Sequence, residues 1–193
     1  MQEEKNFFQR NVKWIVVLGV AVLLVFWALG NYNNFVSQNE SINSQWAQVD
    51  NQLQRRFDLI PNLVETVKGV AKQETSVFTA IADARTRYSG ATNLNDKAKA
   101  ASDYESAIGR LLVITENYPV LQSSQAYRDL MTSLEGTENR LSTERKKYND
   151  LVQLYNAKVK MFPSMITAKL FGFGEKSYFE VKDSAKENPE VKF

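Results

Sequence analysis

The chain has 193 residues, 24 of them basic and 22 acidic, a net charge of +2, and neither cysteine nor histidine. That composition excludes disulfides, thiolate nucleophiles, Ser-His-Asp triads and zinc or copper sites built on imidazole or sulfur. With the two signs interleaved it also lacks the basic footprint of a nucleic-acid binder, so no nucleic-acid partner is expected.

The first element is apolar throughout. Residues 14–30, WIVVLGVAVLLVFWALG, form an uninterrupted run of 17 residues. As a helix this run is about 26 Å long, close to the roughly 30 Å of a bilayer core. No side of it is polar, so it is not an amphipathic surface helix. Trp14, Trp27 and Tyr32 stand near its ends, where such rings favour the membrane interface. Lys5, Arg10 and Lys13 precede the run, and the next basic residue is Arg55. The positive-inside rule then predicts a cytoplasmic tail (1–13), a transmembrane helix (14–32) and everything beyond it outside the cytoplasm. The competing reading is a signal peptide cleaved near Ala28-Leu29-Gly30.

Beyond the run, Phe35, Asn39, Ile42, Trp46, Val49 and Leu53 recur at spacings of four and three, a helical stripe. Nothing breaks the helix between the two segments, so the first continues into the second. Arg56 is the next stripe position. Pro61 then removes a backbone donor and disfavours helix at Ile60, which predicts an end near Asp58. A second helix is expected from Pro61 to about Tyr88, with Glu74 on its apolar stripe and Arg85 or Arg110 as its partner. A third runs from about Lys97 to Asn117, with Ala101, Tyr104, Ile108 and Leu111 inward. The fourth, from about Ser124 to Met161, carries Tyr127, Leu134, Leu141, Tyr148, Val152 and Tyr155. Glycine and proline are scarce and no strand pattern occurs, so the predicted class is all-α. The expected architecture is an N-terminal transmembrane helix continuing into an antiparallel up-and-down four-helix bundle over residues 33–161, followed by an amphipathic segment and tail over 162–193.

Two stretches are candidate sites. Arg55, Arg56, Asp58 and Asn62 could form an anion or partner contact at the bundle tip. The structural alternative is that they finish one helix and cap the next, with Arg56 paired to a carboxylate. Phe162, Met165, Ile166, Lys169, Leu170, Phe171 and Phe173 repeat at helical spacing among lysines, as in a helix lying on a membrane surface. The alternatives there are a bundle end packing its own aromatics or a subunit contact. No Gly-rich phosphate loop, nucleophile elbow or Glu-x-x-His pair occurs. Glu74, Glu116 and Glu138 are the carboxylates an enzymatic reading would test; no catalytic activity, cofactor or metal is expected.

The segments WAQVDNQLQRRFDLIPNLVETVKGVAKQE, ENYPVL, TENRLSTERKKYNDLVQLYN and FPSMITAKLFGF, with the closing YFEV and NPEVKF, resemble the LemA family of bacterial membrane proteins. The likeness covers nearly all of the chain after the apolar run. Gln73-Glu74 stands where the family has a His-Glu pair, so any role of that histidine is absent. The resemblance implies an anchored helical bundle outside the cytoplasm and brings no catalytic residues. Its relatives include a protein linked to magnetosome membranes, which implies membrane organisation. The expected function is therefore structural or scaffolding, with self-association into a homo-oligomer or docking to another membrane protein. The alternative is an extracytoplasmic sensor or ligand-binding module acting through a membrane partner.

Overall fold

The computed structural model describes the backbone of residues 2–180 and the side chains of residues 11–180. The end of the expected tail, residues 181–193, lies outside the described residues, as do the side chains of Lys5 and Arg10. Every regular element described is an α-helix: α1 Gln2–Lys68, α2 Thr75–Gly90, α3 Leu94–Glu116, α4 Pro119–Ser123, α5 Gln125–Lys160 and α6 Ser164–Phe171. The chain divides into two compact units. One holds Met1–Glu40 with Tyr155–Glu175, the other Ser41–Leu154 with Lys176–Phe193.

α1 overturns the expected break near Asp58. It runs through Pro61 to Lys68, and the second helix starts at Thr75 rather than at Pro61. The reason lies in what the two faces of α1 do. Phe57, Ile60, Leu63 and Val67 are buried and continue the stripe of Trp46, Val49 and Leu53 without a change of phase. Pro61 stands on the exposed face. An interior proline costs about 3 kcal/mol, whereas burying Ile60, Leu63 and Val67 contributes roughly 1.5–3 kcal/mol each. Burial wins, so RRFDLIPNL is helix and not a turn. The chain leaves α1 at Gly69, where Val70 and Ala71 both donate to the Val67 carbonyl. Glu74 is therefore not on a helical stripe; it is half-buried at the N-cap of α2.

α2 and α3 pack on one another. Asn93 caps α3 by accepting the Asp96 N–H at 2.9 Å, close to the expected start. Between residues 100 and 109 no side chain of α3 is exposed. Ala98, Ala101 and Ala107 allow close approach of its neighbours, and Tyr104, Ile108 and Leu111 fill the interior. Its buried Ser102 and Ser106 satisfy their hydroxyls on carbonyls four residues back. Tyr118-Pro119 ends α3 as expected, and Pro119 opens the short α4. α5 buries Tyr127, Leu134, Leu141, Tyr148 and Val152 at the expected spacing.

Within the larger unit, α1 meets α5 at Trp46 with Tyr148, Gln45 with Glu144 and Arg56 with Glu138. Residues 176–180 are not helical, and Phe179 among them is buried against Trp46.

Candidate functional site

The residues of the predicted tip cluster are divided between two faces of α1. Arg55, Asp58 and Asn62 are exposed, and at spacings of three and four they share one face of α1. Arg56 points the other way and is 3% exposed. Its guanidinium is in ion-pair contact with the buried Glu105 of α3, and lies 2.6 Å from Glu138 of α5. Its Nε donates to Thr137 Oγ1. Burial lowers the Arg56 guanidinium below its ordinary value, against the pull of Glu138, yet arginine remains a cation in this setting. Arg56 thus ties α1, α3 and α5 together, which is the paired-carboxylate reading of that residue. Glu116 is exposed at the end of α3, and Arg85 lies over the Phe57 ring.

Three tyrosines of the larger unit are buried. Tyr88, whose hydroxyl donates to Asp50, is held above the ordinary phenol value of 10.0 by burial and by that carboxylate. Burial likewise raises Tyr104 and Tyr148. The folded state keeps these protons more tightly than the unfolded chain does. Their contribution to stability is full below pH 10 and is lost as pH climbs above it. Absorbance titration should show none of the three ionising before the helix signal falls. Ionisation of all tyrosines near pH 10 with helicity intact would contradict their burial.

The smaller unit holds the membrane candidates. α1 carries the one helix among the described residues that is long and apolar enough to cross a membrane. Mean hydropathy reaches 2.5 over an 18-residue window of which none is buried. Trp14 is 74% exposed, and Leu23 and Phe26 are 69% exposed. A run of exposed large apolar side chains of this kind marks a membrane or protein contact. Trp27 and Tyr32, near the expected interface, are each 37% exposed.

Directly after the run, Tyr32 meets Phe171 at 4.9 Å and Phe173 at 5.6 Å between ring centroids, and Phe35 stacks on Phe173 at 5.0 Å. These contacts hold α6 beside the end of the apolar run. Gly172, at φ +75°, closes α6: its N–H and that of Phe173 both reach the Ala168 carbonyl. The residues that α6 buries are small: Ser164, Thr167 and Ala168. Ser164 Oγ donates to carbonyls of the preceding turn, Lys158 and Met161. The face turned outward carries Leu170, 73% exposed, and Ile166, 52%, and Phe162 in the turn before the helix is 78% exposed. Phe171 is also exposed, Met165 and Phe173 are half-buried, and Lys169 is exposed. Lys158 donates to Asn34 and lies over the Phe35 ring, while Lys160 pairs with Glu175 at 2.8 Å. Met161, 62% exposed, joins this surface. The sequence reading missed it, although its spacing from Met165 was there to see.

Comparison with known proteins matches residues 45–193 to the LemA family model. The chain belongs to the LemA family. This LemA-family chain is similar to magnetosome protein MamQ 2 of Paramagnetospirillum magneticum, 30% identical over 196 residues, 87% of this chain and 72% of that protein. It is also similar to magnetosome protein MamQ of Magnetospirillum gryphiswaldense, 29% identical over 199 residues, 89% of this chain and 73% of that protein. Among the described residues, the LemA-family chain has no cluster of three carboxylates able to hold a metal ion.

Proposed function

We propose that this LemA-family chain is a single-pass, membrane-anchored scaffolding protein of the bacterial inner membrane. Its N-terminus lies in the cytoplasm, its helical bundle lies outside, and it has no catalytic activity of its own. The observation that carries the reading is the outward apolar face of α6. That helix keeps small residues, Ser164, Thr167 and Ala168, inward and turns Ile166 and Leu170 outward, with Phe162 exposed in the turn before it, beside the end of an exposed apolar run. In water each of these side chains would forgo roughly 1.5–3 kcal/mol of burial, which lipid contact supplies. The MamQ proteins are named for the magnetosome, and that likeness supports a role at membranes. An antiparallel bundle is supported by the order of side-chain pairs. Along α1, Asn34, Trp46 and Arg56 take Lys158, Tyr148 and Glu138 of α5 in turn.

A second reading, a ligand-binding module acting through a membrane partner, is favoured by a cleft of about 340 Å3 between α1 and α2. Ile60, Val64, Phe78, Ile81, Arg85 and Tyr104 line it, and the buried Tyr104 hydroxyl has no hydrogen-bond partner.

The absence of cysteine makes single labels clean. The full chain carrying Leu170→Cys or Asn139→Cys is labelled with a polarity-sensitive dye and reconstituted into phosphatidylcholine vesicles. The dye at 170 should shift to the blue and be quenched by brominated lipid, while the dye at the exposed Asn139 of α5 should not. Equal, water-like behaviour at both positions sinks the surface-helix reading. Labelling Asn139→Cys in intact cells with an impermeant maleimide tests the orientation: protection until the membrane is opened places the bundle inside.

A further inference from the structure

Residues 176–180 lie extended across the larger unit, gripped by side chains of three helices. Ser177 N–H donates to Asn95 Oδ1 of α3 at 2.9 Å, and the Tyr148 hydroxyl of α5 donates to the Ser177 carbonyl at 2.9 Å. Asn149 pairs twice with Phe179: its Nδ2 donates to the Phe179 carbonyl, and its Oδ1 accepts the Phe179 N–H, both at 2.9 Å. Glu180 N–H donates to Ser102 Oγ at 3.1 Å. Every one of these bonds goes to the backbone of the segment. Asn149 mimics the paired donor and acceptor of a neighbouring strand, the logic by which strand-adding domains read extended peptides.

One side chain of the segment is buried. Phe179 is 2% exposed, beside the Trp46 ring at 6.1 Å and with the Arg145 guanidinium 5.0 Å from its centroid. Tyr178, its neighbour, points outward at 39% exposure, the alternation of an extended chain. An aromatic residue seated between Trp46 and Arg145 has the neighbours of a binding hot spot. The groove is therefore built as a peptide site whose ligand is an extended segment with one aromatic anchor.

We propose that this site also works between molecules: the groove of one copy takes residues 176–180 of a second copy of this chain. Every hydrogen bond and ring contact named above forms unchanged when the segment arrives from a neighbour, the condition for exchange of an identical element. The segment has no helix of its own to hold it. It is joined to α6 by residues 172–175, which include Gly172 in the left-handed conformation and Gly174. Those four residues extend to at most about 14 Å, so exchange requires side-by-side neighbours. Copies fixed in one membrane plane meet at high effective concentration, which lets the trans-bound arrangement compete with the cis-bound one. The step from site to exchange rests on the proposed anchoring only for that concentration.

The test uses the full chain in two single-cysteine forms, Asn95→Cys and Ser177→Cys, co-expressed and oxidised in the membrane. A covalent pair at twice the chain mass, absent when either form is expressed alone, is expected. If a chain carrying both substitutions closes its own disulfide while the mixed forms never link, exchange is overturned. Independently, a fluorescent peptide of residues 174–182 should bind the purified full chain saturably. The same peptide carrying Phe179→Ala should bind at least about tenfold more weakly. No binding, or equal binding of the two peptides, overturns the site itself. A chain that lies on lipid without exchanging fails only this proposal, and one that exchanges with a water-exposed α6 fails only the surface-helix reading.

Discussion

Arg56→Ala lowers folding stability by about 3–5 kcal/mol, the largest effect expected of any single charge in this chain. The substitution removes a cation that is 3% exposed and leaves Glu105, 8% exposed, without its counterion. A carboxylate stranded in an interior costs far more than the pair contributes when intact. The contrast is a double replacement, Arg56→Met with Glu105→Leu, which removes both charges and keeps the volume. That variant should regain most of the lost stability. Glu138→Gln should cost about 1 kcal/mol or less, because Glu138 is 45% exposed and solvent screens its part of the pair. Denaturant unfolding in mild detergent, followed by helix signal, measures all three. If Arg56→Ala unfolds within 1 kcal/mol of the parent chain, or the double variant is as weak as the single, the buried-pair account is wrong.

Trp46→Ala is expected to cost roughly 3–5 kcal/mol, through lost burial and the cavity left behind. Trp46 is 5% exposed and meets Tyr148 edge-on at 5.1 Å between centroids. Phe179 rests beside the same ring, so the substitution also empties the seat of the extended segment. Two readouts should move together: the unfolding midpoint falls, and proteolysis after the aromatic residues 178 and 179 accelerates. Val36→Ala, on the exposed side of α1, should stay within about 0.5 kcal/mol of the parent chain. Loss of stability with no change in cleavage near Phe179 would mean that the segment does not depend on Trp46.

The apolar stripes were legible because helical periodicity is local. Phe35, Ile42, Trp46, Val49 and Leu53 announce their common face from spacing alone, and all five are buried. The same holds for Tyr127, Leu134, Leu141, Tyr148 and Val152 in α5. Pro61 was misread because its cost is a local rule, whereas the burial that overrides it comes from residues distant in the chain. The misreading moved Glu74 as well: with α1 continuing to Lys68, Glu74 falls into the turn instead of onto a stripe. For α6 the spacing of Phe162, Ile166 and Leu170 showed an apolar face. It did not show which face would be covered, and the aromatic contacts of Tyr32 and Phe35 decide that.

The sequence by itself determined the helical class, the exposed apolar run, the stripes and the family. These rest on composition, period and motif, which need no partner to be read. The tertiary structure alone decided that Arg56 is interior, that residues 176–180 have a groove, and that α6 turns its apolar face outward. Each of these depends on side chains far apart in the chain meeting in space, Arg56 with Glu105 and Glu138, Phe179 with Trp46 and Asn149. A hydrogen bond or ion pair between distant elements leaves no period in the sequence, so only the packed chain reveals it.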